Sequence, residues 1–328
     1  MNLLITGGCG FIGHHIVEHF IKNTDWNIKI LDKLTYASNG YDRLRDIECF
    51  DNKRIKFFTT DLCNVMNNTT DLLRKEIGDI DYILHLGAET HVDNSIKNPE
   101  PFVYANFVGT FRLLEYAKTL KNLKKMIYFS TDEVFGPAEP GVFFKEFDRY
   151  NSTNPYSATK AGGEELCIAW ANTYKMPIVI THCMNVFGER QHPEKFIPLC
   201  IRKIIGEETI NIHSDETLKI PGSRFWLHAR NVAVVMEFLL KHGINRDKYN
   251  IVGDVEVNNL LLAQTIAKII GIPLKYTMED FHASRPGHDL RYALDGSKLQ
   301  DMGFAYPRNF HHSLTKTVEW YLENPKWL

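Results

Sequence analysis

The stretch Asn2–Asp32, NLLITGGCGFIGHHIVEHFIKNTDWNIKILD, decides the fold. Asn2–Thr6 is a short apolar run that stops at glycines. Phe11 to about Lys22 carries apolar residues at helical spacing, and Ile28–Asp32 is a second apolar run. Strand, glycine turn, helix and strand make a βαβ unit. Gly7, Gly10 and Gly13 are spaced G-x-x-G-x-x-G. One glycine permits a tight turn, one lets backbone approach a pyrophosphate, and one allows close packing of helix on strand. Gly7, Gly10, Phe11, Ile12 and Gly13 therefore form the turn of a candidate dinucleotide site. The helix that follows offers free N–H groups and a positive dipole end to phosphates. Asp32 closes the second strand about twenty residues on, where a carboxylate accepts hydrogen bonds from both hydroxyls of an adenosine ribose. It repels a 2′-phosphate, so the expected cofactor is NAD. Lys33 next door counts the other way and is placed in the same cofactor set.

The alternation continues. Arg54–Thr60 reads as a strand ending at Asp61, whose side chain is placed to meet the adenine edge. Leu62–Ile77 reads as a helix that opens in the cofactor site at Leu62. Asp81–Leu86 is a strand followed by Gly87 and Ala88, small residues that suit close backbone approach to a cofactor. Pro99–Leu120 reads as one long helix and Lys125–Ser130 as the next strand. Repeated β–α alternation predicts an α/β fold: a Rossmann-type doubly wound parallel sheet. Ligands of such sheets sit at the carboxyl ends of the strands. Gly7, Asp32, Asp61, Gly87 and Thr131 all follow strands and are expected on one edge.

Past Ile178–Ile180 the rhythm loosens. Asn185–Lys195 reads as a loop. Helices are expected near Phe196–Ile205, Leu227–His242, Asn258–Ile270 and Phe310–Leu322, with a strand at Tyr249–Val252. This half reads as a smaller interleaved α/β lobe for substrate. The expected division is residues 1–182 plus about 226–252 for NAD, and about 183–225 and 253–328 for a nucleotide sugar.

Composition excludes several classes. With 44% hydrophobic and 24% charged residues the chain is globular rather than disordered. A formal charge of −2 gives no electrostatic case for nucleic acid or an anionic membrane. The six cysteines form no C-x-x-C, and the histidines lack metal-ligand spacing, so neither a disulfide framework nor a metal is expected. The opening residues have no basic region ahead of the apolar run, and no apolar stretch is long enough to span a bilayer. The expected location is cytoplasmic. The helices 99–120 and 156–174 are apolar on more than one face, which suggests a subunit interface and a homodimer.

The chemistry concentrates between Tyr128 and Lys160. Thr131, Asp132 and Glu133 follow an apolar strand. Tyr156 and Lys160 stand four apart at the start of a helix, so they share one face. Asn154 and Pro155 read as its cap and first-turn residue. A phenol is a poor base at neutral pH, and a nearby cation makes its phenolate accessible.

With these residues the chain resembles the extended short-chain dehydrogenase/reductase superfamily. The triplet Thr131-Asp132-Glu133 narrows it to something similar to the nucleotide-sugar 4,6-dehydratases of the dTDP-glucose and UDP-glucose type. HLGAETHVDNSI (85–96), STDEVFG (130–136), PYSATKAGGEE (155–165), NVFGERQHPEKFIP (185–198) and RPGHDLRYALD (285–295) carry the resemblance over most of the chain. It implies oxidation at C4 of a nucleotide-linked glucose, loss of water across C5 and C6, and hydride return to C6 with reprotonation of C5. Tyr156, tuned by Lys160, takes the O4 proton, and Thr131 bonds a substrate oxygen. Glu133 is implied as base at C5 and Asp132 as acid to O6. Asn185, Glu194, Lys195, Arg224, Asn259, Arg285 and His288 are implied to hold the nucleotide diphosphate. Cys9, His182, Ser284 and Phe187 depart from the family's usual pattern, as does the segment His213–Arg224. Alternatives are a UDP-hexose 4-epimerase on the same scaffold, or a non-catalytic dinucleotide-binding regulator.

Overall fold

The computed structural model describes residues 1–65, 71–280 and 290–328. Twelve strands lie among the described residues. They are β1 (Asn2–Thr6), β2 (Asn27–Asp32), β3 (Ile55–Thr59), β4 (Tyr82–His85), β5 (Lys125–Thr131), β6 (Ile178–Cys183), β7 (Asn185–Phe187), β8 (Ile210–Ser214), β9 (Ser223–His228), β10 (Lys248–Ile251), β11 (Glu256–Asn258) and β12 (Tyr276–Asp280). The chain forms two compact units. The first is Met1–Val134, Arg149–His182 and Val232–Tyr249; the second is Phe135–Asp148, Cys183–Asn231 and Asn250–Leu328. Phe135–Asp148, which the sequence reading leaves with the NAD segment, groups with the second unit.

The first unit is built on a seven-stranded sheet in the order β10-β6-β5-β4-β1-β2-β3. The run β5-β4-β1-β2-β3 is parallel throughout. Helices are α1 (Phe11–Asn23), α2 (Gly109–Lys118) and α3 (Pro155–Tyr174). The central strands are apolar almost end to end because helices cover both faces. Leu4, Leu31, Ile83, Met126, Tyr128 and Ile180 from the strands meet Leu113, Leu114, Cys167 and Ala171 from α2 and α3 in one buried cluster. Strand order reverses between β1 and β4, so chain crossovers leave in opposite directions there and open a crevice at their carboxyl ends.

Four expected elements differ. Of the expected helix Leu62–Ile77, residues 66–70 lie outside the described ones; Asp61 caps a 3-10 turn at Leu62–Asn64, and a helix runs over Asp71–Ile77. Pro99–Leu120 is helical but includes a π-helical turn at Val103–Val108 before α2. Leu227 and His228 belong to β9 rather than to the helix, which is α4 (Ala229–His242). The β pairing wins there because Val186 and Phe187 of β7 pair with Leu227 and His228. The same pairing makes Asn185–Phe187 a strand, not a loop.

In the second unit β11-β9-β7 form one small sheet and β12-β8 another. Helices α5 (Asn259–Ile270) and α6 (Phe310–Glu323), with the helix Phe196–Ile205, bury Ile197, Ile201, Leu262, Ile266, Leu314 and Val318 against Ile210 and Ile212 of β8. No described helix is long and apolar enough to cross a membrane.

The three turn glycines are unequal. A Cβ on Gly13 would sit 2.1 Å from the Gly7 carbonyl oxygen, whereas one on Gly10 would sit 3.2 Å from it. Gly13→Ala is expected to lose ~1–3 kcal/mol in chemical denaturation, as overpacking against backbone does, and Gly10→Ala clearly less. Equal midpoints for the two variants would contradict this.

Candidate active site

The crevice is built from backbone. Gly7 has φ +72, and a Cβ on it would lie 2.8 Å from the Gly87 nitrogen, so the ends of β1 and β4 touch without side chains between them. Thr6 Oγ1 accepts the Gly87 N–H at 3.0 Å and lies 2.8 Å from His85 Nδ1. His85 Nε2 lies 2.9 Å from Thr110 Oγ1, and that hydroxyl donates to the Asn106 carbonyl at 2.6 Å. Since Thr110 gives its proton to Asn106, His85 donates from Nε2 and accepts from Thr6 at Nδ1. Burial pushes the His85 pKa down to about 3 and keeps the ring neutral. Asn106 also receives the Glu89 N–H at 2.8 Å and donates to Thr159 of α3 at 3.0 Å.

Asp32 ends β2 and accepts N–H bonds from Cys9 at 3.0 Å and Leu34 at 2.9 Å. Burial pushes its carboxyl up, and these two N–H groups pull it back. Lys33 reaches two carboxylates, Asp61 at 3.3 Å and Glu89 at 3.6 Å. Asp61 also accepts the Cys63 N–H at 2.9 Å, so it closes the turn that begins at Leu62. Leu62 lies under Gly87, where a Cβ would come within 3.1 Å of its Cδ1. Ala88 follows directly, half-buried. Arg43 is a group that sequence reasoning missed. It is buried, and Nη1 donates to the Ala37 carbonyl at 2.8 Å and the Ser38 carbonyl at 2.5 Å. No motif spacing marks it.

The acid–base residues sit at the end of β5 and the start of α3. Thr131 and Asp132 are buried. The Thr131 hydroxyl donates to Asp132 Oδ1 at 3.0 Å, and Glu133 N–H approaches Thr131 Oγ1 at 3.4 Å. Glu133 Oε2 accepts from the Asn154 side-chain amide at 3.0 Å. Asn154 is the N-cap of α3: its Oδ1 accepts the Ser157 N–H at 2.8 Å, with Pro155 in the first turn. One amide thus starts the helix that carries Tyr156 and Lys160 and ties it to Glu133. The cap was legible in the sequence; its bond to Glu133 was not. Tyr156 is 9% exposed and packs on Val92 and Phe102, with its N–H donated to Ser95 Oγ at 3.2 Å. Lys160 is 3% exposed, and its Nζ lies 4.2 Å from the Tyr128 ring centroid. Burial lowers its pKa to about 8, against the pull of Glu164.

Part of the second residue set lies on the sheet of the second unit. Asn185 of β7 pairs with Trp226 of β9. Arg224 of β9 pairs with Val257 of β11, and Asn259 just beyond β11 donates its N–H to Gly222 at 2.8 Å. The Arg224 guanidinium bonds the Ser223 and Leu290 carbonyls at 2.7 and 2.8 Å and lies over the Tyr292 ring. Glu194 and Lys195 pair at 3.6 Å just before the helix Phe196–Ile205. Arg285 and His288 lie outside the described residues. No cluster of potential metal ligands occurs among the described residues.

The family described as GDP-mannose 4,6 dehydratase matches residues 4–317. The chain belongs to that family. It is 36% identical to a dTDP-glucose 4,6-dehydratase of Escherichia coli over 354 aligned positions, covering 100% of this chain and 95% of the relative. The crystal structure of DesIV, a dTDP-glucose 4,6-dehydratase of Streptomyces venezuelae with NAD and TYD bound, is similar with a TM-score of 0.88 at 32% identity. The likeness covers 100% of this chain and 98% of DesIV. A UDP-glucuronic acid 4-epimerase of Bacillus cereus, in complex with UDP-glucuronic acid and NAD, is similar with a TM-score of 0.87 at 26% identity, covering 99% and 100% of the two chains. A dehydratase and an epimerase thus share the fold of this chain, and the fold alone does not separate the two reactions.

Asn154 has two tasks that substitution separates. Asn154→Ala is expected to cost ~1 kcal/mol through the lost cap, and Asn154→Ser to stay within a few tenths of wild type. Thermal or denaturant unfolding checks both.

Proposed function

We propose that the chain is an NAD-dependent 4,6-dehydratase that converts dTDP-glucose or UDP-glucose to the nucleotide-linked 4-keto-6-deoxyglucose. The observation that carries this is the pair Asp132–Glu133 directly after Thr131, each carboxylate held by a different partner. Removing a proton from C5 and protonating the C6 oxygen need one base and one acid close together. Two neighbouring carboxyl groups in unlike surroundings are suited to divide those roles. Glu133 acts as the base at C5, and Asp132 gives its proton to O6. Tyr156, with Lys160 one turn on, takes the O4 proton, and Thr131 bonds the sugar oxygen. The ammonium favours the phenolate because opposite charges lower a phenol's pKa.

The residues of the switch point suit NAD. The glycine contact at Gly7 and Gly87 leaves backbone exposed to a pyrophosphate, and Asp32 at the end of β2 suits a ribose diol. Bound there, NAD supplies a hydride acceptor that returns the hydride within one cycle. In this reading Gly10, Phe11, Ile12 and Gly13 face the phosphates, and Lys33, Asp61, Leu62 and Ala88 flank the adenosine or nicotinamide ends. The second unit holds the nucleotide diphosphate through Asn185, Glu194, Lys195, Arg224, Asn259, Arg285 and His288. Arginine suits a pyrophosphate because its planar fork binds two oxygens at once.

The protein works as a homodimer in the cytoplasm. Val103, Tyr104 and Phe107 of the π-helical turn are 45%, 55% and 39% exposed, and Tyr174 at the end of α3 is 48% exposed. Covering these apolar side chains is what a second copy offers.

Incubation with dTDP-glucose and, separately, UDP-glucose tests the activity. Alkali should develop the absorbance of a 4-keto-6-deoxy sugar with at least one of them. Its absence with both, together with a nucleotide-galactose product, assigns an epimerase instead. Glu133→Gln is expected to lose turnover by ~100-fold or more, the usual scale for a general base, while bound NADH still accumulates. Wild-type turnover in that variant removes Glu133 from the chemistry.

A further inference from the structure

The first unit buries a second carboxylate that the proposed chemistry does not use. Glu164 is fully buried on α3, one turn beyond Lys160. Oε1 accepts from the Ser130 hydroxyl. Oε2 accepts from the Tyr150 hydroxyl and lies 3.1 Å from His182 Nε2 and 3.7 Å from Lys248 Nζ. Lys248 also donates to the Tyr150 hydroxyl and stands over its ring at 4.6 Å. Four separate segments therefore meet on one carboxylate: β5 through Ser130, the segment before α3 through Tyr150, β6 through His182, and β10 through Lys248.

Leaving a carboxylate charged in a protein core is costly unless its oxygens are bonded and its charge is matched. Here both oxygens have donors. Burial works against the Glu164 charge, but the His182 ring, Ser130 and Tyr150 outweigh it and hold the carboxyl below its usual range. Stability alone does not call for such a group, since apolar residues of similar volume commonly serve a core as well or better. Its position points elsewhere. Ser130 is the residue before Thr131, and Glu164 is the acid one turn from Lys160.

We propose that Glu164 is a positioning residue for the Tyr156–Lys160 pair: its buried charge keeps the Lys160 ammonium protonated, and its bond to Ser130 fixes α3 against the strand end that carries Thr131, Asp132 and Glu133. Lys160 has little else to hold its proton. It is buried on the Tyr128 ring of β5, with His85 of β4 nearby and Tyr156, Glu164 and Cys167 on its own helix. Burial drives it toward the neutral amine, and the Glu164 carboxylate opposes this. Around Glu164 the facing groups are Ser130, Tyr150, His182 and Lys248, with Lys160 and Cys167 on α3. A neutral Lys160 would no longer favour the Tyr156 phenolate, so the loss would appear in the first proton transfer. This role for Glu164 in catalysis rests on the dehydratase reading; the electrostatic link to Lys160 does not.

The test uses the intact protein with 13C at lysine Cε. The Lys160 signal is assigned by its disappearance in Lys160→Met and followed with pH. In wild type its midpoint is expected near about 8. In Glu164→Gln the opposing anion is gone and burial acts alone, so the midpoint is expected to fall by about one unit or more, a tenfold change in the proton equilibrium. An unmoved midpoint overturns the proposal. No substrate enters this measurement, so a protein inactive on nucleotide sugars whose Lys160 still shifts would refute the activity and keep the link. With active enzyme, the alkaline limb of the kcat profile moves down with the Lys160 midpoint while KM changes less than ~2-fold. In a Lys160→Met background, adding Glu164→Gln changes kcat no further; additive losses overturn the proposal. Should Glu164→Gln not fold, Glu164→Asp takes its place. It keeps the charge but draws it back by one methylene, and a Lys160 midpoint that does not fall in that variant counts against the proposal.

Discussion

The contact between Gly7 and Gly87 is the constraint on which the first unit depends. Two strands that lead their crossovers in opposite directions end side by side, and their backbones come together with no room for a Cβ. The contact is held from below by a hydrogen-bonded series through Thr6, His85, Thr110 and Asn106. Each member is buried and each has a partner, as the cost of an unpaired polar group in a core demands. Because Asn106 also bonds Thr159, the same series reaches α3, the helix of Tyr156 and Lys160. The cofactor turn and the acid–base helix are thus parts of one hydrogen-bonded frame.

A second constraint is charge balance. Lys160 and Glu164 are both buried on one helix; Glu164 favours the Lys160 charge, and His182, Ser130 and Tyr150 favour that of Glu164. Neither would remain ionised in a plain apolar core. Lys125 solves the related problem at the other end of β5. It is buried, and its ammonium closes the end of α4 by bonding the carbonyls of Leu239, Leu240 and Gly243 at 3.1, 3.0 and 2.7 Å. In sequence it looks like an ordinary charged residue at the start of a strand. Its role is a matter of which helix end lies opposite.

Much of the fold was legible because its signals are local. Strand, glycine turn and helix follow from residue order over Asn2–Asp32, and the bounds found there agree with the expected ones to within a residue or two. Asn154 and Pro155 announced the start of α3. The failures are equally physical. The short strands β7, β9 and β11 depend on one another's edges and carry no periodicity of their own over three to six residues. The π-helical turn at Val103–Val108 leaves the apolar spacing of its helix looking continuous. Glu164 is buried by segments far away in the chain and Arg43 on the carbonyls of the turn just before it, and a sequence read alone puts such charged residues on the surface.

The sequence by itself determined the βαβ unit, the carboxylate at the end of β2, and the placing of Thr131, Asp132 and Glu133 after a strand with Tyr156 and Lys160 a turn apart on a helix. These follow from neighbours along the chain, where spacing fixes geometry. The tertiary structure alone decided which partners those groups have: Asn154 for Glu133, Asp61 and Glu89 for Lys33, and four segments around Glu164. Hydrogen bonds and charge pairing between residues remote in sequence exist only once the sheet order has brought their strands together.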